Sequence, residues 1–160
     1  MRKPPKPLEG YEQTKEKALR LLEFRNHAEK EIERKLAAAG ASEENISKTI
    51  DFLREYHLVD DEQYAKSLAH DLQHIKGYGK NRIRSELSAR GIARNIIDEV
   101  LENLEDTDTK RLCERIEKRL KGNFDKKNTD KVIRYFIYRG YSIDEIKQCL
   151  EVIQRSDGTE

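Results

Sequence analysis

His70 and His74 lie one helical turn apart in the segment HDLQH, with Asp71 next to the first. This is the spacing of the helical HExxH zinc site, where two imidazoles hold the metal and a glutamate serves as base. Here aspartate takes the glutamate position, shortening the base by a methylene, and no third histidine lies nearby. A zinc site needs three or four convergent ligands, so the pair is read as a solvated helix face, and no metal or other cofactor is expected. A second candidate is GYGKN, beginning at Gly77 and placing Lys80 after two glycines. A phosphate-binding P-loop needs four residues between its glycines, then Lys and Ser or Thr, after a strand. None of these conditions holds. A helix-to-helix turn is expected instead, with amides at the start of the next helix able to meet a phosphate. No Ser–His–Asp grouping can be assembled, and the chain is expected not to be an enzyme.

Charge carries more information. The net charge is only +1, so no global field draws the protein to nucleic acid. Locally the balance is uneven. From His70 to Asn95 six bases face two acids, from Ile96 to Thr109 there are six acids and no base, and from Lys110 to Lys131 nine bases face four acids. A basic block containing an aromatic such as Tyr78 is a candidate nucleic-acid patch. An ordinary solvated face in a charge-rich protein is the competing reading. The candidate contact residues are Lys76, Tyr78, Lys80, Arg82, Arg84, Arg90 and Arg94, with Lys131, Arg134 and Arg139 in the corresponding later segment.

Cys113 and Cys149 are too few for a disulfide framework. Both fall near apolar helical positions and are expected to be small buried thiols. The opening MRKPPKPLEG lacks the apolar run of a secretory signal, and no apolar stretch reaches membrane-spanning length. A soluble, cytoplasmic protein without membrane association is expected.

The elements that must position these residues follow from a repeat. Ile32, Leu36 and Gly40 recur as Ile83, Leu87 and Gly91, then as Val132, Phe136 and Gly140, with Ile46, Ile97 and Ile146 six residues after each glycine. A period near this size marks a repeat protein. Apolar residues at 36% and charged residues at 39% suit a thin array in which each repeat is buried only against its neighbours. The expected fold is all-α: three tandem three-helix repeats, about nine helices, forming an elongated, curved array. The repeats are placed at residues 11–58, 59–105 and 106–156, with a disordered arm at 1–10 and a frayed tail at 157–160. The first helix is expected over about Tyr11 to Arg25. Asn26 and Glu29 supply a capping box for the second, Ser42 caps the third, Asp60 and Gln63 open the fourth, and Ser142 and Glu145 open the ninth. Tyr64, Leu68, Leu72 and Ile75 are the expected stripe of the fourth helix, and Val132, Ile133, Phe136 and Ile137 that of the eighth.

Three stretches carry a family resemblance: ALRLLEFRNHAEKEIERKLAAAG from Ala18, YHLVDDEQYA from Tyr56 and GYGKNRIRSELSARGI from Gly77. Together they resemble the RecX family, regulators of the bacterial recombinase RecA, over roughly residues 11–155, with the third repeat the most divergent, as is usual for a terminal repeat. The resemblance implies tandem three-helix repeats and a non-catalytic protein. It implies binding to RecA and to RecA–DNA filaments in the helical groove, with inhibition of recombinase, ATPase and coprotease activities. It also implies DNA binding and a part in DNA repair, homologous recombination and the SOS response. A monomer is expected. The alternative is a stand-alone nucleic-acid-binding helical repeat protein.

Overall fold

The computed structural model describes residues 3–158. Among them are nine helices and no strand: α1 Gly10–Phe24, α2 Glu29–Ala38, α3 Glu43–Glu55, α4 Asp61–His74, α5 Lys80–Ala89, α6 Arg94–Asn103, α7 Thr109–Leu120, α8 Lys126–Tyr138 and α9 Ile143–Asp157. None is long and apolar enough to cross a membrane. Two compact units divide the chain. One runs through Leu68 and includes Leu87–Val100; the other holds Ala69–Glu86 and continues from Leu101.

The recurring glycine ends the middle helix of each repeat in the same way. The amides of Ala41, Ile92 and Tyr141 donate to the carbonyls of Leu36, Leu87 and Phe136, while those of Gly40, Gly91 and Gly140 donate to Ala37, Ser88 and Ile137. This is the Schellman pattern, which satisfies carbonyls left open at a helix end and requires a left-handed residue. The apolar residue four before each glycine therefore has two tasks. Leu36, Leu87 and Phe136 accept the capping bond and are all essentially inaccessible to solvent.

In the first unit, Ala18, Ile32, Leu36, Ile50 and Leu53 form the core, flanked by partly buried Leu8, Leu22, Phe52 and Val59. The arm expected to be poorly ordered is tied down at its end: the Leu8 amide donates to Ala39 at 3.0 Å. Met1 and Arg2, and the last two residues of the expected tail, lie outside the described residues, and Asp157 is still helical. Ser42 caps α3 through the Asn45 amide, as expected. Asp60 accepts from the Gln63 amide at 3.1 Å, but the Gln63 side chain turns to Ser67, so only half of that capping box forms.

The start of α2 differs from expectation. Ala28, not Asn26, is the cap residue. Glu31 takes the role assigned to Glu29, accepting from the Ala28 amide at 3.1 Å while its other oxygen takes a bond from Arg25 at 2.7 Å. The Glu29 amide is met by Asp61 at 3.0 Å, and the Glu29 carboxylate grips Arg54 through both oxygens. A carboxylate remote in sequence thus supplies what a local cap would otherwise provide.

His27 is buried beside this cluster. Its Nδ1 pairs with the Arg25 carbonyl at 2.9 Å, and Nε2 is enclosed without a partner. Burial chiefly, opposed by the bond to Arg25, holds its pKa below the ordinary 6.5. A group with a depressed folded pKa contributes stability that is present above the unfolded value and lost as pH falls through the folded one. The thermal midpoint is therefore expected to fall between about pH 7 and pH 5, and His27→Gln to flatten that fall. Glu31, also depressed but from 4.5, acts in a more acidic window. A His27→Gln profile as steep as the parent's would remove His27 as the cause.

In the second unit, Leu112, Ile116, Leu120, Val132, Phe136, Tyr141, Ile146, Cys149, Leu150 and Ile153 form the core. Here α7 packs chiefly on α9. Ser142 and Glu145 make the full expected capping box of α9, and the second Glu145 oxygen accepts from Thr107 at 2.6 Å. Cys113 and Cys149 are not thiols. They are bonded to each other across α7 and α9, 36 residues apart.

Two apolar positions also depart from expectation. Ile75 is 75% exposed and Ile137 47% exposed. The buried residues of α4 are Ala65, Ala69 and Leu72, a line rotated from the expected stripe because small alanines permit closer packing than tyrosine or isoleucine would.

Candidate functional site

The glycine-rich segment after α4 is a docking turn. In the second unit, the Gly79 amide donates to the Arg139 carbonyl at 2.9 Å and the Asn81 amide to the Gly140 carbonyl at 3.1 Å. The amides expected to be open to a phosphate are thus engaged by the α8–α9 turn. The approach excludes side chains: a Cβ on Gly79 would lie 2.4 Å from the Gly140 oxygen, and one on Gly140 would lie 2.3 Å from the Arg82 backbone nitrogen. A corresponding contact in the first unit sets Gly91 against Lys30, whose Cβ would be 2.4 Å away. The repeat glycine therefore serves close packing as well as helix termination.

Arginines and aromatic rings interleave around the Gly79–Gly140 contact. Arg82 lies over Tyr78 and Tyr138, 5.2 and 4.7 Å from their centroids, and pairs with Glu86 at 3.0 Å. The Tyr138 hydroxyl, more than Glu86, raises the Arg82 pKa still further above its ordinary value. Arg139 lies over Tyr78 and Tyr135 and donates to the Lys76 carbonyl. From α7, Arg115 donates to the Gly77 carbonyl at 3.2 Å and to the Tyr141 hydroxyl at 3.0 Å, and that hydroxyl donates in turn to Gly77 at 2.8 Å. Arginine stacked on tyrosine keeps its in-plane N–H groups for further acceptors.

The exposed side of α8 completes the surface. Lys127, Lys131, Arg134 and Tyr138 share one helix face, since they are spaced by four, three and four residues. Positive charge and a ring 71% exposed thus share a stripe that Arg82 extends.

Of the sequence candidates, Tyr78, Arg82 and Arg139 come together directly, with Lys76 joined through its backbone. Lys131 and Arg134 stand on the α8 stripe. Lys80 is drawn aside to Asp106 at 3.4 Å. Arg84 is exposed, and spacing places it on the opposite side of α5 from Arg82. Arg90 and Arg94 belong to the first unit. Arg90 corresponds in the repeat to Arg139, and the Nε of each is enclosed without a partner; both are largely packing residues. Arg94 is 92% exposed and lies 4.0 Å from Asp98. The His70 and His74 rings are 4.4 Å apart, with Asp71 and Glu105 each 3.6 Å from one of them. No cluster of three or more metal-ligating side chains occurs among the described residues.

Arg115, Tyr135, Tyr138 and Tyr141 were not among the residues expected from sequence. A signal for three of them was present: YFIYRGY, from Tyr135 to Tyr141, concentrates three of the seven tyrosines of the chain.

Comparison with known proteins agrees with this architecture. The family model for the RecX first three-helix domain matches residues 15–53, and that for the RecX second three-helix domain matches residues 60–101. Regulatory protein RecX of Vibrio parahaemolyticus serotype O3:K6 is 38% identical over 141 residues, covering 86% of this chain and 89% of its own. Regulatory protein RecX of Clostridioides difficile (strain 630) is 32% identical, covering 93% of this chain and 72% of its own. The crystal structure of RecX from Lactobacillus salivarius superposes with a TM-score of 0.76 at 24% identity, covering 90% of this chain and 96% of that one. At that identity the superposition speaks to the fold.

Proposed function

The chain belongs to the RecX family, and on that premise we propose that it is a non-catalytic regulator of RecA. In this reading it acts as a cytoplasmic monomer, binds RecA and the groove of RecA–DNA filaments, and lowers recombinase, ATPase and coprotease activities. DNA repair, homologous recombination and the SOS response would be affected through those activities. The three expected repeats serve as linked contact modules, so weak contacts to neighbouring protomers reinforce each other through effective concentration. An effect on the ATP-linked state of the filament requires different affinity for its states.

The observation that carries this reading beyond kinship is the α8 stripe of Lys127, Lys131, Arg134 and Tyr138, continued by Arg82 over Tyr138. It offers cations to phosphates or acidic protein surfaces beside an exposed ring. RecA ATPase on single-stranded DNA, titrated with the protein, is expected to fall. The Lys131→Glu/Arg134→Glu double variant should require at least about tenfold more protein, the loss of one or two charge-assisted contacts. ATP hydrolysis and strand exchange that stay unchanged at excess protein would remove the RecA reading.

The same stripe favours a second reading, a stand-alone nucleic-acid-binding protein. Each phosphate contact then adds about 0.7 to the log–log salt slope on single strands, and binding proceeds without recombinase.

A further inference from the structure

The turn joining α7 and α8 holds a second cationic surface, which meets the stripe just described at Lys131. Two adjoining cavities, of about 340 and 280 Å³, share Arg119 and Lys121. The first is completed by Lys131 and two asparagines, Asn123 and Asn128, over Leu120 and Val132. The second is completed by Arg115 and Lys118 over Tyr135 and Phe136. No carboxylate lines either cavity. Among the described residues, none of Lys118, Arg119, Lys121 and Lys131 stands in an ion pair. In a chain whose acids and bases nearly balance, five cations lining two neighbouring cavities without an acid is an unneutralised arrangement.

Local structure holds these cations in place. Arg119 lies 3.4 Å from the centroid of the Tyr135 ring, so its face is covered while its edge N–H groups stay available for in-plane acceptors. Lys121 occupies the left-handed region at φ 53, where the helix stops. The Asn128 amide donates to the carbonyls of both Leu120 and Asn123, and Asp125 accepts from the Asn128 backbone amide at 2.7 Å. The turn is thus braced by its own polar groups.

We propose that this turn is a binding site for a linear chain of adjacent phosphates, such as inorganic tripolyphosphate or the triphosphate of a nucleotide. Charge density decides between ligands. A nucleic-acid backbone carries one charge per phosphate and separates its phosphates by sugars, whereas a triphosphate concentrates its charge over neighbouring groups. Cations gathered around two cavities that share Arg119 and Lys121 match the compact distribution, and arginine and lysine both serve as phosphate ligands. The site stands independently of the RecA reading, because it requires no second protein.

The test titrates tripolyphosphate, ATP and a short oligothymidylate of equal phosphate content into the full chain, read by calorimetry at about 0.15 M salt. Saturable one-to-one binding of tripolyphosphate and ATP is expected, with the oligonucleotide weaker. Arg119→Ala and Lys121→Ala should each weaken triphosphate binding about tenfold, while Lys17→Ala, at an exposed position of α1, leaves it unchanged. Lys118→Ala, which removes no ring contact, covers the case in which Arg119→Ala disturbs the Tyr135 packing. The proposal is overturned by the absence of saturable triphosphate binding, by equal losses in Lys17→Ala and Lys121→Ala, or by tighter binding of the oligonucleotide.

Discussion

Gly140→Ala is expected to lower stability by about 2–5 kcal/mol, the sum of a left-handed conformation imposed on alanine and an overfilled contact. Gly140 has φ +100, and its added Cβ would meet both the backbone nitrogen and the Cβ of Arg82 at 2.3 Å. Neither is the far end of a flexible side chain, so relief requires the start of α5 to move. That movement would break the bonds from Gly79 and Asn81 to the α8–α9 turn and draw Arg82 away from Tyr138. The control is Gly122→Ala. Gly122 is also left-handed, at φ +71, but a Cβ added there would meet nothing within 4 Å, so only the conformational cost of about 1–2 kcal/mol applies. Urea unfolding of the two variants separates the contributions. Equal losses would mean that the close approach contributes nothing.

Opening the Cys113–Cys149 bridge is the second large effect. A loop of 36 residues corresponds to a loss of about 4 kcal/mol on the chain-entropy account of disulfides. The bridge joins α7 to α9, and Cys149 lies wholly within the core of the second unit. Cys113 is two residues before Arg115, which holds Gly77 and Tyr141. Loosening α7 should therefore reach the arginine–tyrosine cluster as well as the core. Cys113→Ser, or a thiol reductant on the parent protein, is expected to lower the unfolding midpoint by similar amounts, and the reductant should have no further effect on the variant. Thiol titration under denaturing conditions should find no free thiol before reduction and two after it. Two free thiols in the untreated protein, with a midpoint insensitive to reductant, would rule out the bridge as a source of stability. Reducing compartments disfavour such bonds, so in the cytoplasmic setting proposed above the pair is expected to be reduced and the protein to have the lower midpoint.

The signals that were legible in sequence are those that act within about one helical turn. Ser42, Asp60 and Ser142 each accept from an amide three residues ahead, and a local bond of that kind leaves a local pattern. The glycine period was equally readable, because a Schellman end constrains residues adjacent in sequence. Its second cause, the approach of Gly140 to Arg82 and of Gly91 to Lys30, was not, since those neighbours are remote in sequence. The same holds for the cap of α2, where Asp61 meets an amide 32 positions earlier.

In the candidate site, sequence identified the positive charge but not its partners. Lys80, Arg82 and Arg84 look equivalent in a string of letters. Helical rotation and packing bring one to Asp106 and one to Tyr78 and Tyr138, and turn the third to the exposed outer side of α5. Stacking of arginine on tyrosine joins α5 and α8 across more than fifty residues, and no local spacing encodes it. Two cysteines 36 residues apart likewise carry no record of whether their helices meet. That the protein is a helical repeat could be read from the order of its residues, because helix period, caps and glycine ends are local chemistry; its relation to RecX rested on the resemblance of three stretches. Which cations share a surface and which amides stay open could be read only from the folded chain, because both depend on distances between segments that chain order does not contain.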